Sequence, residues 1–172
     1  MGYTSHSVLN HEHRFDNSEF IHCDCLIITT DSRAITQKEA YSRVKHAAKI
    51  FRTDDTKLFC KRIDTTLRRN LGTETDAMLD SLGDDYIAIC AQCFSSSGRT
   101  LVGGYLLVNG LPLHKNNIAI APKTPVKISD IAKIFQVQSK YKVSSIYISD
   151  LMNGENTRLQ VKLIRWFRQA QE

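Results

Sequence analysis

The chain has 172 residues, 42% of them hydrophobic and 24% charged, with 23 Lys plus Arg against 18 Asp plus Glu for a formal charge of +5. That balance fits one globular domain and excludes disordered, collagenous and low-complexity classes; a chain this long buries roughly 70% of its unfolded surface. The longest apolar runs, at 25–28 and 87–91, fall far short of the ~20 residues a membrane span needs, and His and acidic residues replace the basic stretch and apolar core of a secretory signal. A cytoplasmic protein is therefore expected. Five Cys is an odd count without a disulfide-framework spacing, so reduced thiols are expected. Cys23, Cys25 and His22, with Cys90, Cys93, His11 and His13, are the zinc-ligand candidates, but only the Cys-x-x-Cys at 90–93 has ligand spacing and it lacks a partner pair.

Residues 1–20 follow neither a period of 2 nor one of 3.6, and read as an irregular lead to a single α/β domain over 21–172. DCLIITT (24–30) reads as a short buried strand. Thr36 with Glu39 three residues on is a capping box, which opens a helix running to about Phe51 with Ala40, Val44, Ala47 and Phe51 on its apolar face. KLFCKRI (57–63) reads as a second strand. A helix from about Leu71 to Leu82 follows, carrying Leu71, Met78, Leu79 and Leu82 before Gly83 as its stop. DYIAICA (85–91) is a third strand. Strands alternating with helices of this length predict an open, mostly parallel sheet with helices on both faces, a Rossmann-like three-layer α/β arrangement. Gly and Pro interrupt the rhythm over 92–128, where a long hairpin-containing loop insertion is expected. Regularity returns with a helix near 130–139, a strand SSIYIS (144–149) and a last helix near 156–170.

Ligands of open α/β sheets bind beyond the carboxyl ends of the strands. Asp31, Ser32 and Arg33 follow the first expected strand. Asp64, Thr65, Thr66, Arg68, Arg69 and Asn70 follow the second, and Ser95, Ser96, Ser97, Gly98, Arg99 and Thr100 the third. Hydroxyls, arginines and an acid in three successive loops suit a small anionic polyol: Arg forks onto a carboxylate or phosphate, and Asp and Thr bond hydroxyls. The same residue types cap helices in any α/β protein, so the pattern alone leaves both uses open. SSSGRT resembles an anion-binding loop, yet the chain has no Gly-x-x-x-x-Gly-Lys-Ser/Thr and no Gly-x-Gly-x-x-Gly.

At these loops the chain resembles the amino-terminal domain of the four-carbon acid sugar kinase family. TTDSRAITQKEAY (29–41) is similar to that family's Ser-Arg segment and helix. KRIDTTLRRNLGTETDAMLDSLG (61–83) is similar to its Lys-Lys-Ile-Asp-Ser-Thr-Leu-Arg-Gly-Asn-Ile-Gly block, and SSSGRTLVGGYLLVNGLPLHKN (95–116) to its Gly-Arg-Thr segment and Val-Asn-Gly-x-Pro-Leu turn. APKTPV (121–126) and the Gln138-Ser139 pair complete an ordered series over about 24–140. The resemblance implies a sugar-acid cleft with Asp64 as the catalytic candidate and Arg33, Thr66, Arg68, Asn70, Gly98 and Arg99 as substrate-binding candidates. Physically, Arg68 and Arg99 suit carboxylate or phosphate clamps, Asp64 and Asn70 hydroxyl partners, and Gly98 a close-approach turn. The family uses ATP and Mg; neither falls on a residue of this chain.

Departures from the family pattern set further expectations. Nothing in 1–23 matches the family's Asp-Asp-x-Thr-Gly-Ala segment, and no Gly-rich nucleotide domain follows, so an incomplete member is expected, one that a nucleotide-binding domain on a separate chain would complete. Arg69 stands where the family has Gly, and Ala121 where it has Asp before Pro122. The leading expectation is a sugar-acid-binding domain of an ATP-dependent kinase for tetronates such as threonate or erythronate. A non-catalytic small-anion-binding remnant or regulator is the alternative. A basic nucleic-acid-binding module is a further one, resting on Arg158, Lys162, Arg165 and Arg168 and a pI near 9.0, although Leu159, Leu163, Trp166 and Phe167 give that segment a core-like spacing and make a solvated face the simpler account. An uncovered sheet edge would favour a homodimer, and no membrane partner is expected.

Overall fold

The structure, a computed structural model, describes residues 2–9, 23–53, 55–120 and 125–152. Its first element lies inside the segment expected to be irregular: strand β1 (Ser5–Val8) runs parallel to β2 (Cys25–Ile28), with Ser5 opposite Cys25 and Val8 opposite Ile28. Four residues are too few for a period to show in sequence. The pairing is instead anchored at its start, where the Asp24 carboxylate accepts from the Thr4 backbone N–H and hydroxyl, both at 2.8 Å. Of the β1 side chains only Val8 is buried.

Helix α1 (Gln37–Phe51) begins at the predicted capping box: the Thr36 hydroxyl accepts from the Glu39 N–H at 3.3 Å, and the Glu39 carboxylate accepts from the Thr36 N–H at 3.0 Å. Ala40, Val44, Ala47 and Ala48 are its buried residues, and Phe51 is half-buried at the C-terminal end. Helix α2 (Leu71–Leu82) packs along α1, where the Ser81 hydroxyl donates to the Lys45 carbonyl at 3.4 Å. The Arg52 guanidinium ties the two C-terminal ends together by donating to the Ser81 carbonyl at 2.9 Å.

The interruption at 92–128 contains a small antiparallel sheet. Strands β3 (Arg99–Val102), β4 (Tyr105–Val108) and β5 (Leu111–Pro112) lie in chain order. Both turns have two central residues with left-handed φ, Gly103 (57°) with Gly104 (86°) and Asn109 (51°) with Gly110 (78°). That is the twist a two-residue hairpin requires, and Asn-Gly is its strongest sequence signal. Leu106 and Val108 turn inward to a core formed with Leu67, Leu71, Leu113, Ile134 and Phe135. Helix α3 (Ile131–Gln136) supplies the last two and is capped by Asp130, whose carboxylate accepts from the Lys133 N–H at 3.1 Å.

Three expectations need correction. Segments 57–63 and 85–91 belong to no strand among the described residues, and Leu58, Ile87 and Ile89 are 76%, 37% and 75% exposed; an apolar run records a demand for burial, while a strand needs a neighbour to pair with. The end of the strand expected at 144–149 is helical, since α4 spans Ile148–Met152. Its start is set by Asp150, whose carboxylate accepts from the Tyr147 N–H at 3.0 Å. The helix expected near 156–170, with its basic stripe, and His11, His13 and His22 lie outside the described residues. The described parallel pairing is thus the β1–β2 ladder alone, and α1 and α2 pack on each other.

Candidate functional site

The loop after β2 and the loop before α2 meet in one hydrogen-bonded cluster. At its centre Asp64 closes a tight turn: its carbonyl accepts from the Leu67 N–H at 2.9 Å, and its carboxylate accepts from the Thr66 N–H at 3.2 Å and the Thr66 hydroxyl at 2.9 Å. Arg68 Nε donates to the same carboxylate at 2.6 Å, and Arg33 Nη2 stands 4.0 Å away. Burial works against charge on Asp64, but the Arg68 guanidinium and the Thr66 donors outweigh it and hold the carboxyl below its ordinary value. Asp64 is therefore ionised at neutral pH and serves as the anchor of two arginines.

Arg68 uses only Nε on Asp64, so its terminal nitrogens have no protein acceptor among the described residues. With the side chain 28% exposed, that guanidinium presents donors at the site while its stem is fixed. Arg33 is 59% exposed and held by charge alone.

Asn70 sits differently from its expected part as a hydroxyl partner. Its residue is 7% exposed, and its amide nitrogen donates to the Ser32 carbonyl at 3.2 Å and the Ile35 carbonyl at 3.1 Å. Both amide hydrogens are spent on the protein, and the residue clips the 32–35 loop to the N-terminus of α2. It occupies the N-cap position of α2 without making a side-chain cap bond. Sequence reasoning did not isolate this clip, nor the support for the start of α2 from Gln138, whose side-chain oxygen accepts from the Gly72 N–H at 3.1 Å. Gly72 is needed there, because a Cβ would lie 2.7 Å from the Phe135 carbonyl oxygen.

Gly98 and Arg99 lie on the hairpin. Gly98 has φ 71° and ends the short 3-10 turn Ser95–Ser97; a Cβ there would run into the Asn109 side-chain oxygen. Its need for Gly is thus met within the fold. Arg99 stands directly opposite Val108, and opposed residues of an antiparallel pair share a face. Val108 packs in the cluster that contains Leu67 and Leu71, so Arg99 emerges on the side of the hairpin that faces the 64–70 loop. One of its terminal nitrogens donates to the Ser97 carbonyl at 2.7 Å. The structure therefore joins Arg33, Thr66 and Arg68 around the Asp64 carboxylate, has Asn70 clip the neighbouring 32–35 loop, and places Gly98 and Arg99 on the hairpin whose Val108 shares a core with Leu67 and Leu71.

A second cluster braces the C-terminal half of α2. The Asp80 carboxylate accepts from the Tyr41 and Tyr141 hydroxyls and, at 2.7 Å, from Lys140 Nζ. Burial opposes the charge, but these three donors hold Asp80 at about 2. Burial and the bond to Asp80 push the Tyr141 phenol up to about 12. Nearby, Asp76 accepts from the Ser139 hydroxyl and the Lys140 N–H.

The Asp64 turn thus fixes one carboxylate between two arginines and presents guanidinium donors beside hydroxyls. The chain matches the sugar-binding N-terminal domain family over residues 2–171, and it belongs to that family, the amino-terminal unit of the four-carbon acid sugar kinases. It is 47% identical over 137 residues to a D-erythronate kinase of Heliobacterium modesticaldum, covering 80% of this chain and 31% of the relative. It is 36% identical over 132 residues to a D-threonate kinase of Salmonella typhimurium, covering 76% and 31%. The chain thus spans about a third of the length of these relatives. A Haemophilus influenzae protein of solved structure superposes with a TM-score of 0.76 at 20% identity, over 98% of this chain and 41% of that one, and shares the fold. A Bordetella bronchiseptica protein superposes with a TM-score of 0.71 at 28% identity, over 78% and 35%; its crystals contain citrate and a domain-swapped dimer.

Kinase relatives imply a nucleotide and a metal. Among the described residues no three His, Cys, Asp or Glu side chains cluster to hold one, and Asp64, the carboxylate of the turn, is already bound by Arg68. Among the described residues no helix is long and apolar enough to cross a membrane.

Proposed function

We propose that this chain is the sugar-acid-binding unit of a kinase that phosphorylates four-carbon acid sugars, tetronates such as erythronate or threonate. The observation that carries the proposal is the Asp64-centred turn, which fixes Arg68 by Nε and leaves its terminal nitrogens for a carboxylate. Arg68 and Arg99 clamp the acid group. Thr66 holds Asp64, and Asp64, with acceptor capacity left over from its bonds to Thr66 and Arg68, takes a hydrogen bond from a substrate hydroxyl and orients it. Its lowered carboxyl makes it a weak base, in keeping with phosphoryl transfer, where positioning does most of the catalysis. Asn70 and Gly98 shape the two loops.

The three-layer, mostly parallel sheet belongs to the same proposal. The likeness in fold to a solved relative supports it. The nucleotide is proposed to bind outside the residues described here, so binding is the property to assay on these 172 residues. The swapped dimer of the Bordetella relative supports association of two copies of this chain, to be checked by light scattering after size exclusion.

The test is a thermal-shift titration with erythronate and threonate, comparing wild type with Arg68→Ala and Arg99→Ala. Binding raises the midpoint by mass action, about 2.7 kcal/mol at a hundredfold excess over Kd. A shift with a tetronate that both variants lose supports the proposal. Folded protein that shifts with neither acid overturns it. Binding that survives in both variants places the ligand elsewhere on the chain.

A further inference from the structure

We propose that Gln138 is a positioning residue of the sugar-acid site: it caps helix α2 from outside the helix, leaves Asn70 to hold the 32–35 loop, and so keeps Arg68 and Arg33 where an acid sugar meets them. The inference rests on the sugar-acid proposal above and deepens it by naming a residue that sets the affinity of the site through other residues.

A helix start leaves backbone N–H groups without intrahelical acceptors, and the N-cap side chain ordinarily serves the second or third of them. Asn70 holds the N-cap position of α2 and makes no such bond, its amide nitrogen being turned to the carbonyls of Ser32 and Ile35. Gln138 takes the duty instead. Its side-chain oxygen accepts from the Gly72 N–H at 3.1 Å, and its carbonyl accepts from the Thr73 hydroxyl at 3.2 Å. The two segments approach so closely that a Cβ on Gly72 would lie 2.7 Å from the Gln138 Cβ.

The loop ahead of α2 needs this hold because it is strained. Leu67 and Arg69 have φ of 55° and 81°, in the left-handed region that residues with a Cβ avoid, and such a conformation persists only where its surroundings fix it. The near end of the loop is fixed by the Asp64 turn, through the bond from the Leu67 N–H to the Asp64 carbonyl. The far end is the first turn of α2, where Gln138 sits. Gln138 is itself held on both sides: the Gln136 amide donates to the Tyr141 carbonyl at 3.0 Å and accepts from the Val143 N–H at 2.9 Å, while Ser139, Lys140 and Tyr141 bond to Asp76 and Asp80 further along α2. Removing only the side-chain oxygen of Gln138 therefore leaves the segment docked and releases the far end of the strained loop.

Two readouts on the 172-residue chain test this, one of them without ligand. The variants are Gln138→Met, which keeps the length of the side chain without the acceptor, and Gln138→Glu, whose carboxylate accepts the same bond with a charge suited to a helix N-terminus. In NMR spectra of the free protein, Gln138→Met should move the Gly72 N–H signal and, with it, the Arg68 Nε–H signal that reports the bond to Asp64; Gln138→Glu should restore the latter. In isothermal titration with erythronate, Gln138→Met should bind on the order of 10-fold more weakly, the factor one hydrogen bond supplies when it holds the bound geometry, and Gln138→Glu should bind as wild type does. Melting temperatures check that each variant is folded, and Gln138→Asn, whose shorter amide withdraws the oxygen, replaces Gln138→Met if that variant is not. An Arg68 Nε–H signal indifferent to Gln138→Met, erythronate bound by that variant as by wild type, or affinity lost equally in Gln138→Glu overturns the positioning role and leaves the sugar-acid proposal standing. An Arg68 signal that follows Gln138 in a folded chain binding neither erythronate nor threonate overturns the sugar-acid proposal, and the part of Gln138 in its affinity falls with it.

Discussion

Replacing Asn70 by Asp separates two roles that the position could play. Asp caps helices as well as Asn does, so if Asn70 matters as the N-cap of α2 the change is nearly silent. The structure shows no side-chain cap bond at Asn70; its amide hydrogens go to the carbonyls of Ser32 and Ile35, and an Asp carboxylate donates to neither. Each such bond contributes about 1 kcal/mol net, and a carboxylate facing two carbonyls in a site 7% exposed adds a desolvation cost, so about 2–4 kcal/mol of destabilisation is expected. In a protein of this size each kcal/mol moves Tm by roughly 2–4 °C, so urea melts and calorimetry both resolve the loss. Asn70→Ala should cost less than Asn70→Asp, because it removes the donors without burying a charge. The 32–35 loop should also lose amide-exchange protection in both variants while the α1 interior keeps it. An Asn70→Asp protein as stable as wild type would refute the clip and restore the capping account.

Three further outcomes follow from other parts of the fold. Asp80, held at about 2, is depressed relative to the unfolded chain, so its contribution is complete above pH ~4 and is lost as pH falls towards 2; by that linkage it is worth at most ~2.5 kcal/mol. Chemical melts of Asp80→Asn from pH 7 down to pH 2 should converge with those of wild type, and a gap that stays constant with pH would contradict the assignment. Lys61 and Glu74 form an ion pair with side chains 17% and 8% exposed. Lys61→Met alone should cost about 3–5 kcal/mol by leaving a buried carboxylate, and adding Glu74→Leu should recover most of it, as a double-mutant cycle in urea would show. Gly98→Ala should destabilise by about 1–3 kcal/mol through φ 71° and the Asn109 contact. Asn109→Gly should relieve the contact part, measurable as a partial return of Tm.

Local patterns in the sequence determined what depends on neighbours in sequence. Thr36 and Glu39 specify the start of α1, Leu71 to Gly83 the span of α2, and Asn109-Gly110 a two-residue hairpin, because caps and turns are closed by atoms a few residues apart. The ordered blocks around Arg33, Asp64–Asn70 and Gly98-Arg99 also pointed to the loops of the site. Tertiary structure alone decided which strands pair and what each site residue does. Ser5–Val8 carries no period that marks a strand and gains its place only by lying beside Cys25–Ile28, while 57–63 and 85–91 are apolar and described without a ladder. Asp64 and Asn70 both look like hydroxyl partners on paper. One is turned into an arginine anchor by a contact four residues away, and the other into a loop clip by carbonyls 35 and 38 residues away. A polar side chain's chemistry is written in its identity, but whether its donors and acceptors remain for a ligand depends on which distant atoms the fold brings to them.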